Sequence, residues 1–148
     1  MANYYSLTHA AELSILDAIQ NNITSSVTNI TYSSGMNNIA NAAPAIVAFV
    51  QQGEEIAPYT RCYNLHAKIT IKVMAADTDT SALSTLAMDT FSLLMDPINS
   101  ANLIKSYGGP YGFSTWFVRP INKTEYDDGD SIVYELDCDL VGALVDQS

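Results

Sequence analysis

Between Tyr63 and Ala75 the chain alternates strictly between apolar and polar positions. Tyr63, Leu65, Ala67, Ile69, Ile71, Val73 and Ala75 occupy the odd places, with Asn64, His66, Lys68, Thr70 and Lys72 between them. Successive side chains of a strand point to opposite faces, so this pattern predicts an antiparallel strand with one face buried and the other wet. A second alternating run, Ile132, Tyr134, Leu136, Cys138 and Leu140, predicts a closing strand. Between the two, Asp77-Thr-Asp-Thr-Ser offers capping side chains, and residues 82–95 follow helical spacing. A helix over 79–96 is expected to cover the odd positions of the first strand and to stop at Pro97, since a proline disfavours α geometry in the residue before it.

The remaining segments follow from the same patterns. Residues 7–20 predict a first helix, capped by Ser6 or Thr8, with a stripe of Ala10, Leu13, Leu16 and Ile19. A short strand is expected over 26–32, a loop over 35–43, and a strand from Pro44 to Val50, where a missing N–H at the first position costs little. Gln51-Gln-Gly-Glu-Glu is expected to turn the chain. Tyr107-Gly-Gly-Pro-Tyr-Gly predicts a glycine-rich turn into a strand over 113–118, with Phe113 and Phe117 on one face and Trp116 and Val118 on the other. Asp127-Asp-Gly-Asp reads as a hairpin loop. Together these elements predict an α/β (α+β) fold in a single domain, residues 1–148. Its antiparallel sheet would hold about four or five strands, with two main helices packed on one face.

Composition narrows the function classes. The chain is 48% hydrophobic, which excludes wholesale disorder. No apolar run approaches the roughly 20 residues that cross a bilayer. The N-terminal residues lack a basic stretch followed by an apolar one, so the expectation is a protein made and kept in the cytoplasm. Cys62 and Cys138 then read as small buried hydrophobes. Sixteen acidic residues against six basic ones give a net charge of -10, and no Lys or Arg follows Lys123. Nucleic-acid binding needs clustered cations, and these are scattered.

Catalytic patterns are absent from the sequence. His9 and His66 read as exposed spectators. The Asp127, Asp128 and Asp130 group lacks the spacing and closing Glu of a calcium loop. The glycine-rich turn has no Lys-Ser/Thr after it and precedes a strand, so it is no phosphate loop. The expectation is a protein that is not an enzyme and carries no metal or cofactor. Two surfaces remain as candidates. Glu135, Asp137 and Asp139 share one face of the last strand. They either pair with Lys68 and Lys72 or, exposed and free of Lys partners, form an acidic wall past which a polyanion slides. Tyr107, Tyr111, Phe113 and Trp116 are either core or a subunit contact, where Tyr and Trp concentrate binding energy.

The order of these elements resembles that of the tail terminator, or tail completion, proteins of long-tailed bacteriophages. The resemblance rests on the leading helix, the Pro-Ala-Ile-Val-Ala-Phe strand with its Gly-Glu-Glu turn, and the alternating Lys-bearing strand. It continues through the Ala/Ser/Leu-rich helix after an Asp-rich cap to the closing Tyr-Glu-Leu-Asp-Cys-Asp strand. The Asn/Ser-rich stretch 21–41 is longer than that pattern expects. The resemblance implies a structural virion protein, assembled in host cytoplasm. It would form a six-membered ring of copies of itself at the head-proximal end of the tail. Such a ring would cap the tail tube protein, join a neck or connector protein, and let DNA pass without binding it tightly. A globule of this length has a radius of gyration of roughly 15 Å, so only a ring could surround a duplex. Glu135, Asp137 and Asp139 would be the candidate lumen face, and Tyr107, Tyr111, Phe113 and Trp116 the candidate subunit contacts. The competing readings are another neck adaptor, a tube subunit (which would be richer in strand), and a small cytoplasmic ligand-binding domain or enzyme, which would need a convergent polar cluster.

Overall fold

The computed structural model describes residues 6–22, 30–35, 45–58, 60–74, 88–90, 92, 97–128 and 131–144. In chain order they form α1 (Leu7–Asn22), β1 (Thr31–Ser34), β2 (Ala45–Glu55), β3 (Tyr63–Met74), α2 (Pro97–Gly108), β4 (Phe113–Asp128) and β5 (Ser131–Leu144). The strands make one sheet in the order β1-β2-β3-β5-β4. The class is α+β, but the sheet is mixed rather than antiparallel, because β1 runs parallel to β2 with Thr31 opposite Ala45. Thr31-Tyr-Ser-Ser carries no alternation from which a direction could be read.

The odd positions of β3 are buried as expected. Leu65, Ala67, Ile69 and Ile71 pack in one cluster with Ile46, Ala48 and Val50 of β2, Leu136, Cys138 and Leu140 of β5, and the inner faces of α1 and α2. Residues 88–90 and 92 are helical. The rest of the predicted 79–96 helix lies outside the described residues, as do positions 26–29 of the predicted first strand. Pro97 opens α2, the place in a helix where its missing N–H costs nothing and its fixed φ already fits. That helix was absent from the sequence-based expectation, although Ala101, Ile104 and Gly108 recur at helical spacing and all three are buried.

α1 starts where Ser6 Oγ accepts the His9 N–H at 3.3 Å. It ends where the Asn21 and Asn22 amides donate to the Asp17 and Ala18 carbonyls at 2.7 and 2.8 Å. Its buried arc is wider than the expected stripe: Leu13 is only half-buried, while Ala11, Ser14, Ile15 and Ala18 join Ala10, Leu16 and Ile19 inside. Glu12 is buried too. β1 pairs only with Ala45 to Ala48 of β2, so the amide of Val50 faces an empty edge. The Glu12 carboxylate accepts that N–H at 2.9 Å. A buried amide without an acceptor costs about 1–3 kcal/mol, which is why a carboxylate stands in an otherwise apolar helix face.

Gln51-Gln-Gly-Glu-Glu does not turn. β2 continues through it to Glu55, with a register irregularity between Gln52 and Glu55. The reversal comes at residues 56–62, where the Ile56 N–H donates to Cys62 O at 2.8 Å. Arg61 adopts φ 59 there, and its N–H donates to Glu55 Oε2 at 2.8 Å, an anchor for that unusual conformation.

β4 is also longer than expected. Pro120 suggested an end at Val118, but β4 is an edge strand, where a proline removes no ladder bond that the sheet needs. Its ladder with β5 skips Trp116 (between Thr115 and Phe117) and Ile121 (between Pro120 and Asn122). Each skip is a bulge, and a bulge shifts the in–out alternation by one residue. The expected faces are therefore corrected: Phe113 and Val118 are both inside, and Trp116 and Phe117 are both outside.

Candidate functional site

Both helices cover one face of the sheet. The other face is closed at one end, where Ala45, Val47, Thr70 and Val133 are buried, and open at the other. Thr70 was expected on a wet face and is instead 1% exposed. Two hollows occupy the open end, of about 640 and 570 Å³, and Gln51 and His66 line both. The first also takes Phe117, Arg119 and Asp139, and the second Lys68, Ile121 and Asp137.

The three acids of β5 lie on this open face. The register sets Asp139 opposite His66, Asp137 opposite Lys68 and Glu135 opposite Thr70. Side chains then lean along the strands. His66 places Nδ1 3.2 Å from Asp139 Oδ1 and Nε2 3.2 Å from Asp137 Oδ1. Lys68 Nζ reaches the diagonal Glu135 at 3.7 Å, and Arg119 of β4 lies 3.4 Å from the second oxygen of Asp139. Each acid thus has a basic neighbour. Lys68 is the partner expected of a sheet-stabilising pair, whereas Lys72 lies opposite Val133. Cross-strand pairs of this kind contribute about 0.2–1 kcal/mol each. His66 is not the spectator expected from its wet-face position, since it bridges two carboxylates. His9 likewise sits beside an acid, with Nδ1 3.5 Å from Glu12 Oε1. Among the described residues no group of three or more His, Cys, Asp or Glu could hold a metal ion, and no helix is long and apolar enough to cross a membrane. Asp127 and Asp128 run in the β4–β5 ladder, opposite Ile132 and Ser131.

The candidate contact aromatics divide. Phe113 is 1% exposed and belongs to the core, so it cannot meet a partner without unfolding. The Tyr111 hydroxyl donates to Asp17 Oδ2, and the Tyr107 hydroxyl accepts from Asn22 Nδ2 at 3.2 Å. These two tyrosines fasten the end of α2 to the end of α1. Trp116 is 53% exposed. Phe117 at 44% and Ile121 at 51%, which the sequence reading did not single out, stand beside it on β4. Their exposure follows from the bulges, whose only sequence signal is Pro120 inside an apolar run.

Cys138 sits on the helix-covered face beneath the acids. Burial, followed by the charges of Asp139 and Asp137, pushes its thiol up to about 12. A thiol raised in the folded state stays neutral there while the unfolded chain ionises. Its contribution to stability is therefore complete below the ordinary thiol range and is lost as pH climbs from that range toward 12. Cys62 is half-buried in the β2–β3 loop, with Sγ 3.5 Å from the Thr60 carbonyl. Because the thiolate is the nucleophile, a disulfide exchange reagent at pH 8 is expected to label one thiol, Cys62, in the native protein. Cys138 should react only after denaturant is added. Two equally fast thiols would contradict this placement.

No family model matches the chain, and neither does any curated protein. One solved structure aligns at a TM-score of 0.40 and 15% identity, over 75% of this chain and 77% of its own. Likeness at that level assigns neither a family nor a function.

Proposed function

We propose that this chain is a structural subunit of a bacteriophage tail, a tail terminator that assembles as a ring at the head-proximal end. It would cap the tail tube, contact the neck or connector, and let DNA pass without holding it tightly. One observation carries the reading: β4, an edge strand of 16 residues, presents Trp116, Phe117 and Ile121 to solvent side by side. Large apolar side chains grouped on an otherwise acidic surface mark an association site, and Trp is prominent among residues that dominate contacts. The element order set out above agrees with the tail terminator pattern, and a net charge of -10 disfavours capture of a polyanion.

Glu135, Asp137 and Asp139 stay the candidate lumen face. Each has a basic neighbour, so they would offer a passing phosphate a partly compensated wall rather than bare negative charge.

Native mass spectrometry and negative-stain imaging of the purified protein test this reading. The expected result is a closed ring of identical subunits, six by the resemblance, that elutes apart from added duplex DNA at moderate salt. A protein that stays monomeric at every soluble concentration, alone and with tail tubes, would sink it.

A further inference from the structure

The two edges of the sheet are chemically opposite. Residues 113–124 of β4 include Arg119 and Lys123 and no acid. At the other edge β1 stops opposite Ala48, which leaves residues 49–55 of β2 as a free edge. That edge includes Glu54 and Glu55 and no base. The ladder also places the two edges level with each other. Gln51 is in register with His66, then Asp139, then Arg119. Gln52 is likewise in register with Leu65, Leu140 and Val118. Joining β4 of one copy to β2 of the next therefore needs no displacement along the strands.

How β4 would make that contact follows from its bulges. A flat free strand adds another strand by backbone hydrogen bonds, whereas two bulges and Pro120 interrupt that template. Both bulged residues, Trp116 and Ile121, are about half exposed. The bulges aim two anchors outward from the edge instead of offering backbone. A receptacle lies at the free edge of β2: the hollow of about 640 Å³ whose walls include Gln51, Gly53, His66 and Arg119. Gly53 keeps the β2 side low, since a Cβ there would already come within 3.0 Å of the Asn64 carbonyl oxygen. Its cationic and imidazole walls suit the face of an indole.

From this we infer a head-to-tail contact between copies of the chain. Trp116 and Ile121 of one copy seat at the β2 free edge of the next, with Arg119 and Lys123 opposite Glu54 and Glu55. The inference rests on the ring reading above and adds to it the two surfaces and their polarity. A contact between unlike surfaces repeats around a ring until it closes, and a knockout of either surface leaves the other competent.

That last property supplies the test. Trp116→Ser/Ile121→Ser removes the anchors, and Gln52→Lys/Glu54→Lys reverses the receiving edge; all four residues are exposed. Each variant should melt like the parent and run as a monomer by native mass spectrometry. Mixed in equal amounts, the two should form a 1:1 dimer and nothing larger, because one intact anchor surface meets one intact receiving edge. If the anchor variant melts early, Trp116→Ser alone replaces it in the same mixture. A wild-type ring with either variant still assembling fully overturns the proposed contact and leaves the ring reading standing. So does a wild-type ring whose two monomeric variants fail to pair. A monomeric wild-type protein overturns the ring reading, and the contact falls with it.

Discussion

Ile71→Asp is expected to cost several kcal/mol and to unfold most of the protein under conditions where Ile121→Asp leaves it folded. Ile71 is 0% exposed and lies in the cluster shared by the sheet and both helices. A carboxylate there has no basic partner and no water, so it must either ionise in an apolar medium or fold as the neutral acid. Domains of this kind are stable by only about 5–15 kcal/mol, so such a loss consumes a large part of the total. Ile121 differs in the one respect that matters: its bulge turns it outward, to 51% exposure. A substitution there, away from the core, should stay within about 0.5 kcal/mol. Urea titration reads both variants. The Ile71 midpoint should fall steeply with an unchanged slope, and the Ile121 midpoint should hardly move. Equal midpoints would mean that the alternation in β3 has been assigned to the wrong faces.

How legible each element was depends on where its pattern comes from. β3 and β5 are central strands with one face under helices, so their burial is written residue by residue in the sequence. The β1 direction was not legible, because four polar residues at an edge have no face to declare. The helix at Pro97 was missed for a different reason. A proline both ends one helix and begins another, and only the later recurrence of Ala101, Ile104 and Gly108 decides between the two. β4 was cut short and its faces misassigned because bulges displace the alternation without leaving a residue signature of their own. The candidate site suffered the same loss. Sequence reading found the three acids and Trp116, but placed Phe113 beside Trp116 as a contact when it is core. It also passed over Arg119, Phe117 and Ile121, which stand on the same strand beyond the first bulge. Glu12 escaped notice because its purpose, accepting the Val50 amide, depends on where a strand from elsewhere in the chain happens to stop.

Phe113 is the residue on which this misreading can be tested most sharply. As core it should cost about 3–5 kcal/mol when replaced by Ala, whereas a solvent-facing contact residue would cost little. Its ring is held in a slot made by the absence of side chains. A Cβ at Gly142 would come within 2.6 Å of the ring and 3.0 Å of Leu65 Cδ1, and a Cβ at Gly108 would collide with the Phe113 backbone oxygen. Gly142→Ala should therefore destabilise by about 1–3 kcal/mol through overpacking against the ring. The two effects share one cause, so they should not add. In Phe113→Leu the shorter side chain vacates the space that the new methyl needs, and Gly142→Ala placed on that background should cost less than it does alone. A double-mutant cycle by chemical denaturation measures the difference, expected at about 0.5–3 kcal/mol in favour of the double variant. Strict additivity would show that the Gly142 methyl meets something other than the Phe113 ring. A Phe113→Ala variant as stable as the parent would return Phe113 to the surface.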